Sequence, residues 1–428
     1  MSRIQNNYAS YATRTAYDND ANKDYPNISY VIADDEIIWA AAPTPKYLTF
    51  EAVSAGTLTI QSTDATANKT ISYSTDNGET WRNLTTKTTA KTIKTLSIGD
   101  KVLVKGTNST YGVSATAYNK FGGTAFVNIS GNIMSLIGGD NFDNLTTLTD
   151  PYTFQCLFSD VFVISAENLI LPATTLTERC YNSMFSGCTR LSSAPSLPAT
   201  TLAVSCYGYM FYDCVHLTTP PALPATTLET ACYSHMFQDC SRLTTAPALP
   251  ATTIANNCYE YMFSGCINLT TAPVLPATAA RTYCYRYMFQ RTSLTTAPAL
   301  PATTLAQTCY KGMFKECTSL TTAPALTATT LANSCYSEMF DGCTSLTTAP
   351  VLPSTTLTSN CYQYMFRDCS SLNYIKAMFT TTPSNTYTNN WVSGVAASGT
   401  FVKNVNATWT TTGNSAVPSR WTVETASE

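Results

Sequence analysis

From residue 180 onward the apolar positions recur in a fixed order. Cys-Tyr, two polar slots, Met-Phe, two polar slots, Cys, two more slots and Leu lead into a stretch of the form TTAPALPATTL, and then the order starts again. The leading cysteines are Cys180, Cys206, Cys232, Cys258, Cys284, Cys309, Cys335 and Cys361, a period of 26 residues with one step of 25. Met-Phe pairs run from Met184-Phe185 to Met365-Phe366, and second cysteines follow at Cys188, Cys214, Cys240, Cys266, Cys317, Cys343 and Cys369. Upstream, LFSDVFVISAENLILPATTL (157–176) reads as a degenerate opening copy, the form a capping repeat takes. A unit this short cannot bury its own apolar face, so the pattern predicts a solenoid in which equivalent residues of successive coils stack into ladders. At about 4.8 Å per coil, eight coils make a rod or arc on the order of 40 Å long. Within a coil the Thr-rich pieces predict short strands, and the proline of TTAPALP, which has no amide to donate, marks a strand edge or corner. CYSEMFDGC (335–343) predicts a tight helical or 3₁₀ turn.

The pattern changes on either side. Over 46–131 the chain alternates apolar and polar residues, as in KYLTFEAVSAGTLTIQ and KTLSIGDKVLVKGT, with turn residues between, which predicts a small antiparallel β-sandwich. Inside it, STDNGETW (74–81) resembles the Asp-box hairpin of sialidase-like propellers. It occurs once, so Ser74, Asp76, Gly78, Thr80 and Trp81 read as a self-bonded turn with Trp81 packed beneath rather than as a glycosidase blade. DNDANKD (18–24) imitates the start of a calcium loop, but Lys23 stands where glycine is needed and Ser29 where the glutamate should be, so it reads as a solvated acidic arm. YPNISYVIADDEIIWA (25–40) predicts a hairpin turning at Asp34-Asp35. Tyr25, Tyr30, Ile32, Ile37 and Trp39 are its candidate anchoring residues, docking by strand addition to another subunit. Beyond 379 the repeat stops. Trp391, Phe401, Trp409 and Trp421 supply apolar surface to cover a terminal coil, so 380–428 reads as a cap. The expected division is an anchoring arm and hairpin (1–45), a β-sandwich (46–131), a solenoid with its N-terminal cap (132–379) and a C-terminal cap.

Composition narrows the function classes. Apolar residues make up 44% of the 428, enough for a real core, whereas charged residues make up only 12% and the net charge is -3. There is no polybasic surface for nucleic acid or anionic lipid, and no apolar run of transmembrane length. The start, MSRIQNNYASYATRTAYDND, has no signal-peptide core, so the expectation is a protein without an export signal and without membrane insertion. No Ser-His-acid set, Gly-rich phosphate loop or glycosidase-like carboxylate pair is present, which argues against an enzyme and against a cofactor.

All but one of the 16 cysteines fall in the two repeat columns. A disulfide framework suits short, cysteine-dense secreted chains, and cysteines of one column on neighbouring coils would point in parallel rather than toward each other. Zinc needs closely spaced ligands, often with histidine, and His216 and His235 occupy non-equivalent positions. The third reading, a small apolar residue at a crowded axis, suits the pattern best. The fifth copy keeps Cys284 and lacks a second cysteine, which is ascribed to the chain being one residue shorter there.

If the constant residues build the core, recognition belongs to the slots that vary. Those slots stack into one exposed stripe of mixed charge and aromatic rings, with Tyr209, His235, Tyr261, Arg286, Tyr287, Lys311, Glu338 and Tyr364 as the candidate ligand-binding set and no catalytic or metal residue in it. The order GCTSLTTAPALPATTLANSCYSEMF resembles the BspA-like, treponemal type of leucine-rich repeat over about 157–379. The resemblance implies a mainly β fold: a leucine-rich-repeat solenoid preceded by the small antiparallel β-sandwich, with the second cysteine column in the core. It also implies a binding module rather than an enzyme. Known members are surface proteins of anaerobic gut and oral bacteria, and PATTL-type copies occur in predicted proteins of gut phages, including crAss-like ones. The hairpin at 25–40 resembles a short element of gut-phage proteins, and the tail resembles those that usually follow such repeats. Two destinations follow: a phage virion protein (head or tail fibre or decoration), held by its N-terminal arm to other virion proteins and displaying repeats toward a host surface glycan or protein, or a bacterial cell-surface adhesin. The start of the chain favours the virion surface. A homo-oligomer is expected, trimers and dimers being usual for fibres.

Overall fold

A computed structural model describes residues 28–33, 36–41 and 47–426. The first strands, β1 (Ile28–Ala33) and β2 (Glu36–Ala41), pair antiparallel with Tyr30 opposite Trp39 and Ile32 opposite Ile37. Four of the candidate anchoring residues therefore sit at two cross-strand pairs. Tyr25 and the arm at 18–24 lie outside the described residues.

The alternating segment forms two facing sheets. One contains β3 (Leu48–Ala52), β5 (Thr70–Ser74), β6 (Arg82–Thr85), β8 (Lys101–Gly106) and β10 (Val127–Asn132); the other contains β4 (Gly56–Ser62), β7 (Lys91–Leu96) and β9 (Asn119–Gly123). Inward residues alternate along strands such as β4 and β10, and Phe50 of β3 meets Phe121 of β9 across the sheets at 4.7 Å between ring centroids. The β5–β6 connection closes on itself. Ser74 Oγ donates to Asp76 Oδ1 (2.6 Å), Gly78 N donates to Ser74 Oγ (2.8 Å), and Thr80 N donates to Asp76 Oδ1 (2.9 Å). Trp81 packs edge-on against Tyr47, with Lys105 Nζ 4.0 Å from an indole ring centroid. The Asp76 carboxylate, pulled down to about 2 by bonds from Ser74 and Thr80, is spent on its own turn.

The sandwich continues directly into the repeats. β10 pairs in parallel with β11 (Val163–Ser165) and β12 (Leu169–Ile170), which belong to the opening coil. That coil starts earlier than residue 157: Phe154 stacks on Tyr181 and Phe158 on Phe185, so they fill the Tyr and Phe columns of a copy beginning near Tyr152. Both columns reach back into the sandwich, where Tyr111 stacks on Phe154 and Phe121 on Phe158.

The CYxxMFxxC segment is not helical. Its amides alternate: Cys206 N, Gly208 N, Met210 N and Tyr212 N bond three residues back, while Tyr207 N, Tyr209 N, Phe211 N and Asp213 N bond carbonyls of the next coil. The result is a ribbon of overlapping four-residue turns. Every fourth residue (Ser205, Tyr209 and Asp213 in this coil) has φ between 52° and 57°, a sign no α- or 3₁₀-helix tolerates in succession. A period of four also sends side chains two in and two out, which is why Cys-Tyr and Met-Phe alternate with pairs of variable residues.

Inside, the Tyr column from Tyr181 to Tyr362 and the Phe column from Phe185 to Phe366 stack at 5.4–6.1 Å and 5.6–5.9 Å. Each Phe ring removed from water contributes roughly 1.5–3 kcal/mol, whereas the hydroxyls of Tyr181, Tyr233 and Tyr362 are buried without a hydrogen-bond partner among the described residues, which offsets part of the gain from their rings. The second-column cysteines do more than fill space. Cys214 Sγ donates to Phe185 O at 3.2 Å, and Cys240, Cys266, Cys317, Cys343 and Cys369 repeat the contact, each with the Phe carbonyl of the coil before its own. In the fifth copy Thr292 occupies the second-cysteine slot, with its hydroxyl donating to Phe289 O at 2.8 Å. The missing residue therefore falls between Thr292 and Leu294, and the cysteine is lost by replacement rather than by shortening.

The Thr-rich half makes less regular structure than short strands. Successive coils touch there through isolated parallel bridges such as Ser193 to Thr219 and Thr227 to Thr253. Prolines such as Pro195 and Pro198 remove the donors a longer ladder would need. At the far end β13 (Tyr374–Ala377), β14 (Thr400–Lys403) and β15 (Thr422–Thr425) form a parallel sheet. Trp391 lies under both aromatic columns, 6.2 Å from Tyr362 and 6.0 Å from Phe366, with its Nε1 donating to Ala416 O at 2.8 Å.

Candidate functional site

The ribbon places the second slot after each Tyr on its outer edge. Tyr209, His235, Tyr261, Tyr287, Glu338 and Tyr364 all take φ between 53° and 57°, so their side chains leave the ribbon in one direction. Four of them collapse onto one another: Tyr209 to His235 at 4.3 Å, His235 to Tyr261 at 4.7 Å and Tyr261 to Tyr287 at 4.8 Å. This outer stack is tighter than the internal columns. Its rings cover each other, and burial pushes Tyr261 up and His235 down, so His235 stays neutral at neutral pH.

The two ends of the stack differ. At the C-terminal end Gly312 takes the next slot, and a Cβ there would fall 2.1 Å from the Tyr287 ring. Through that gap Tyr287 Oη donates to Glu338 Oε2 at 3.0 Å, two coils away. Glu338 also pairs with Lys311 (3.0 Å) and Lys315 (2.7 Å), Lys315 with Asp341 (3.0 Å), and Asp341 with Arg367 (2.6 Å). Burial pushes the Glu338 carboxyl up, but the two ammonium groups outweigh it and hold it below its usual value. Arg367 lies over the Tyr364 ring at 4.6 Å. Arg286 pairs with Glu260 and lies 4.8 Å from the Tyr283 ring and 5.5 Å from Tyr261. Lys311, Glu338 and Tyr364 are thus joined into one network through Lys315, Asp341 and Arg367, which lie in the slots after Phe, whereas Arg286 pairs separately with Glu260 and keeps its Nε buried without a hydrogen-bond partner among the described residues.

At the N-terminal end the preceding coil offers Ser183, too small to cover a ring, and Tyr209 is 39% exposed. Tyr212 stands 6.0 Å away at 59° to it, forming an open corner of two phenols. Gly208 makes room for Asn182, whose Nδ2 lies 2.7 Å from where a Cβ at 208 would sit. Asp213 borders the corner, and burial together with Asp239 raises its carboxyl. The role of Tyr212 escapes a reading by slots, because it comes from the column after Phe and only the turn geometry brings it to Tyr209.

The chemistry on this edge is that of contact and hydrogen bonding. All 16 thiols are free and buried, and burial raises those of the repeats. Among the described residues no three His, Cys, Asp or Glu side chains gather as a metal-holding group.

A match to one protein family agrees with this architecture. The family described as "BspA type Leucine rich repeat region" matches in six copies, at 113–244, 157–295 and 282–395, well over half of the chain. A search of curated proteins finds no match. Among solved structures, the crystal structure of a leucine rich cell surface protein from Faecalibacterium prausnitzii A2-165 aligns over 70% of this chain and 90% of that one, at 16% identity and a TM-score of 0.33. The turn ribbons, the aromatic and cysteine columns and the family match make the conclusion plain: the chain belongs to the BspA-type leucine-rich-repeat family.

Proposed function

We propose that the protein is a surface-displayed recognition module that binds a glycan or protein along the ribbon edge and performs no catalysis. The observation that carries this reading is the open Tyr209–Tyr212 corner. A rigid aromatic face offers contact area at little entropic expense, and the carboxylate of Asp213 can accept hydroxyl hydrogen bonds at its rim. The rest of the stripe, closed by its own ion pairs, supports and orients that corner. Binding of the labelled full chain to a printed panel of neutral and acidic oligosaccharides and to host-cell extract tests it. Tyr209→Ser should lower the strongest signal at least tenfold with an unchanged melting temperature. Tyr364→Ser, whose ring lies under Arg367, should leave it intact; equal signals for wild type and Tyr209→Ser would sink the reading.

Two carriers fit such a module, each with the β1–β2 hairpin as the element that docks to it. Family membership supports the bacterial cell surface. Sixteen free buried thiols support folding in a reducing compartment, as for a virion protein assembled in the cytoplasm. Immunogold labelling of purified particles and of cells, with antibody to 157–379, distinguishes them: gold on heads or tails establishes the virion, and gold confined to envelopes the adhesin.

A further inference from the structure

The side of the solenoid formed by the TTAPALPATTL stretches carries no charged residue in any of seven successive coils. Its backbone alternates: Leu and Ala point inward, while the residue after Pro, the second Pro and the first Thr of the TT pair point out. Outward columns result, one running from Ser196 through Ala248 and Val274 to Val351, one mostly of proline and one of threonine. Val274 is 79% exposed and Val351 46%. A soluble surface normally intersperses charges at about 25–35% of positions, and the ribbon side of these coils does.

From this face we infer a homotypic interface: two copies of the chain pair through their Thr-Pro-Ala columns. Three features select a second copy over another occupant. The columns repeat at the coil spacing, and a partner commensurate over seven coils is guaranteed only by the same repeat. Hydroxyls both donate and accept, so threonine columns complement themselves, whereas a face without charge has no electrostatic means of choosing a different protein. Alanine and proline lose no side-chain entropy on burial and threonine little, so association immobilises almost nothing. Seven coils at about 4.8 Å by five extended residues at about 3.3 Å give roughly 500 Å² per copy, below the ~800 Å² of standard interfaces and suited to a reversible dimer.

Sedimentation velocity of the full chain across micromolar concentrations should show a monomer–dimer equilibrium. Val274→Arg, at an exposed position, should weaken it at least tenfold while the far-ultraviolet spectrum stays unchanged. Because every native cysteine is buried, Val274→Cys introduces the one accessible thiol, at the middle coil of the face, where two copies meet. Mild oxidation should link it into dimers at least tenfold faster than Glu316→Cys on the ribbon. A monomer at every concentration, an association unaffected by Val274→Arg, or equal cross-linking at the two sites would overturn the proposal.

Discussion

Each coil has two halves that solve the same stacking problem by different means. In the ribbon half, alternate amides bond to the next coil, and this ladder holds whatever the outward side chains are. In the Thr-Pro half prolines leave single bridges, and the coil is held by buried Leu and Ala, such as Leu249, Ala251, Leu275 and Ala277. The contrast explains where the sequence varies. Backbone-held slots are free to carry Tyr, His, Lys or Glu, whereas the half held by side chains repeats with little change.

The largest effect tests the shared core. Phe263→Ala removes one ring from a column stacked on both sides and should cost about 3–5 kcal/mol, read as a lower urea midpoint. Next comes the ribbon's ion network. Asp341→Ala strips a carboxylate from both Lys315 and Arg367 and should lose about 1–3 kcal/mol in the same titration. Glu338 carries the pH dependence. Its folded value lies below its unfolded one near 4.3, so its contribution is complete above that range and is lost as pH falls through the folded value. Glu338→Gln should therefore flatten the acid side of a stability–pH curve, and an unchanged slope would count against the network. A smaller effect, about 1–2 kcal/mol, is expected for Gly312→Ala, which puts a Cβ at φ +60° against the Tyr287 ring. Smallest is Thr292→Cys, which completes the cysteine column and should shift stability by under ~1 kcal/mol. Ellman's reagent should then find no reactive thiol in the native protein.

Much of this was readable because it repeats. The period, the two cysteine columns, the aromatic ladders and the self-closed turn at Ser74–Trp81 all follow from residue identity and spacing. The ribbon was not, because a two-in, two-out pattern lies close to helical periodicity, and only the sign of φ at residues such as Tyr209 separates the two. Nor could spacing show that Tyr209, His235, Tyr261 and Tyr287 stack on one another while Glu338 reaches across Gly312. A column of variable residues looks equally open at every coil until side-chain direction and the size of the neighbour are known. The substitution at Thr292 was hidden by a deletion one residue later.

The alternation of amide bonds within and between coils also sets how the rod meets a pulling force. Tension along the solenoid loads the interfaces between coils in series, so the weakest opens alone while its neighbours hold. Each released coil of 26 residues would pay out up to about 90 Å of extended chain. Tethered at one end and attached at the other, such a rod would lengthen stepwise under shear instead of detaching, and would rewind one coil at a time when the flow slackens.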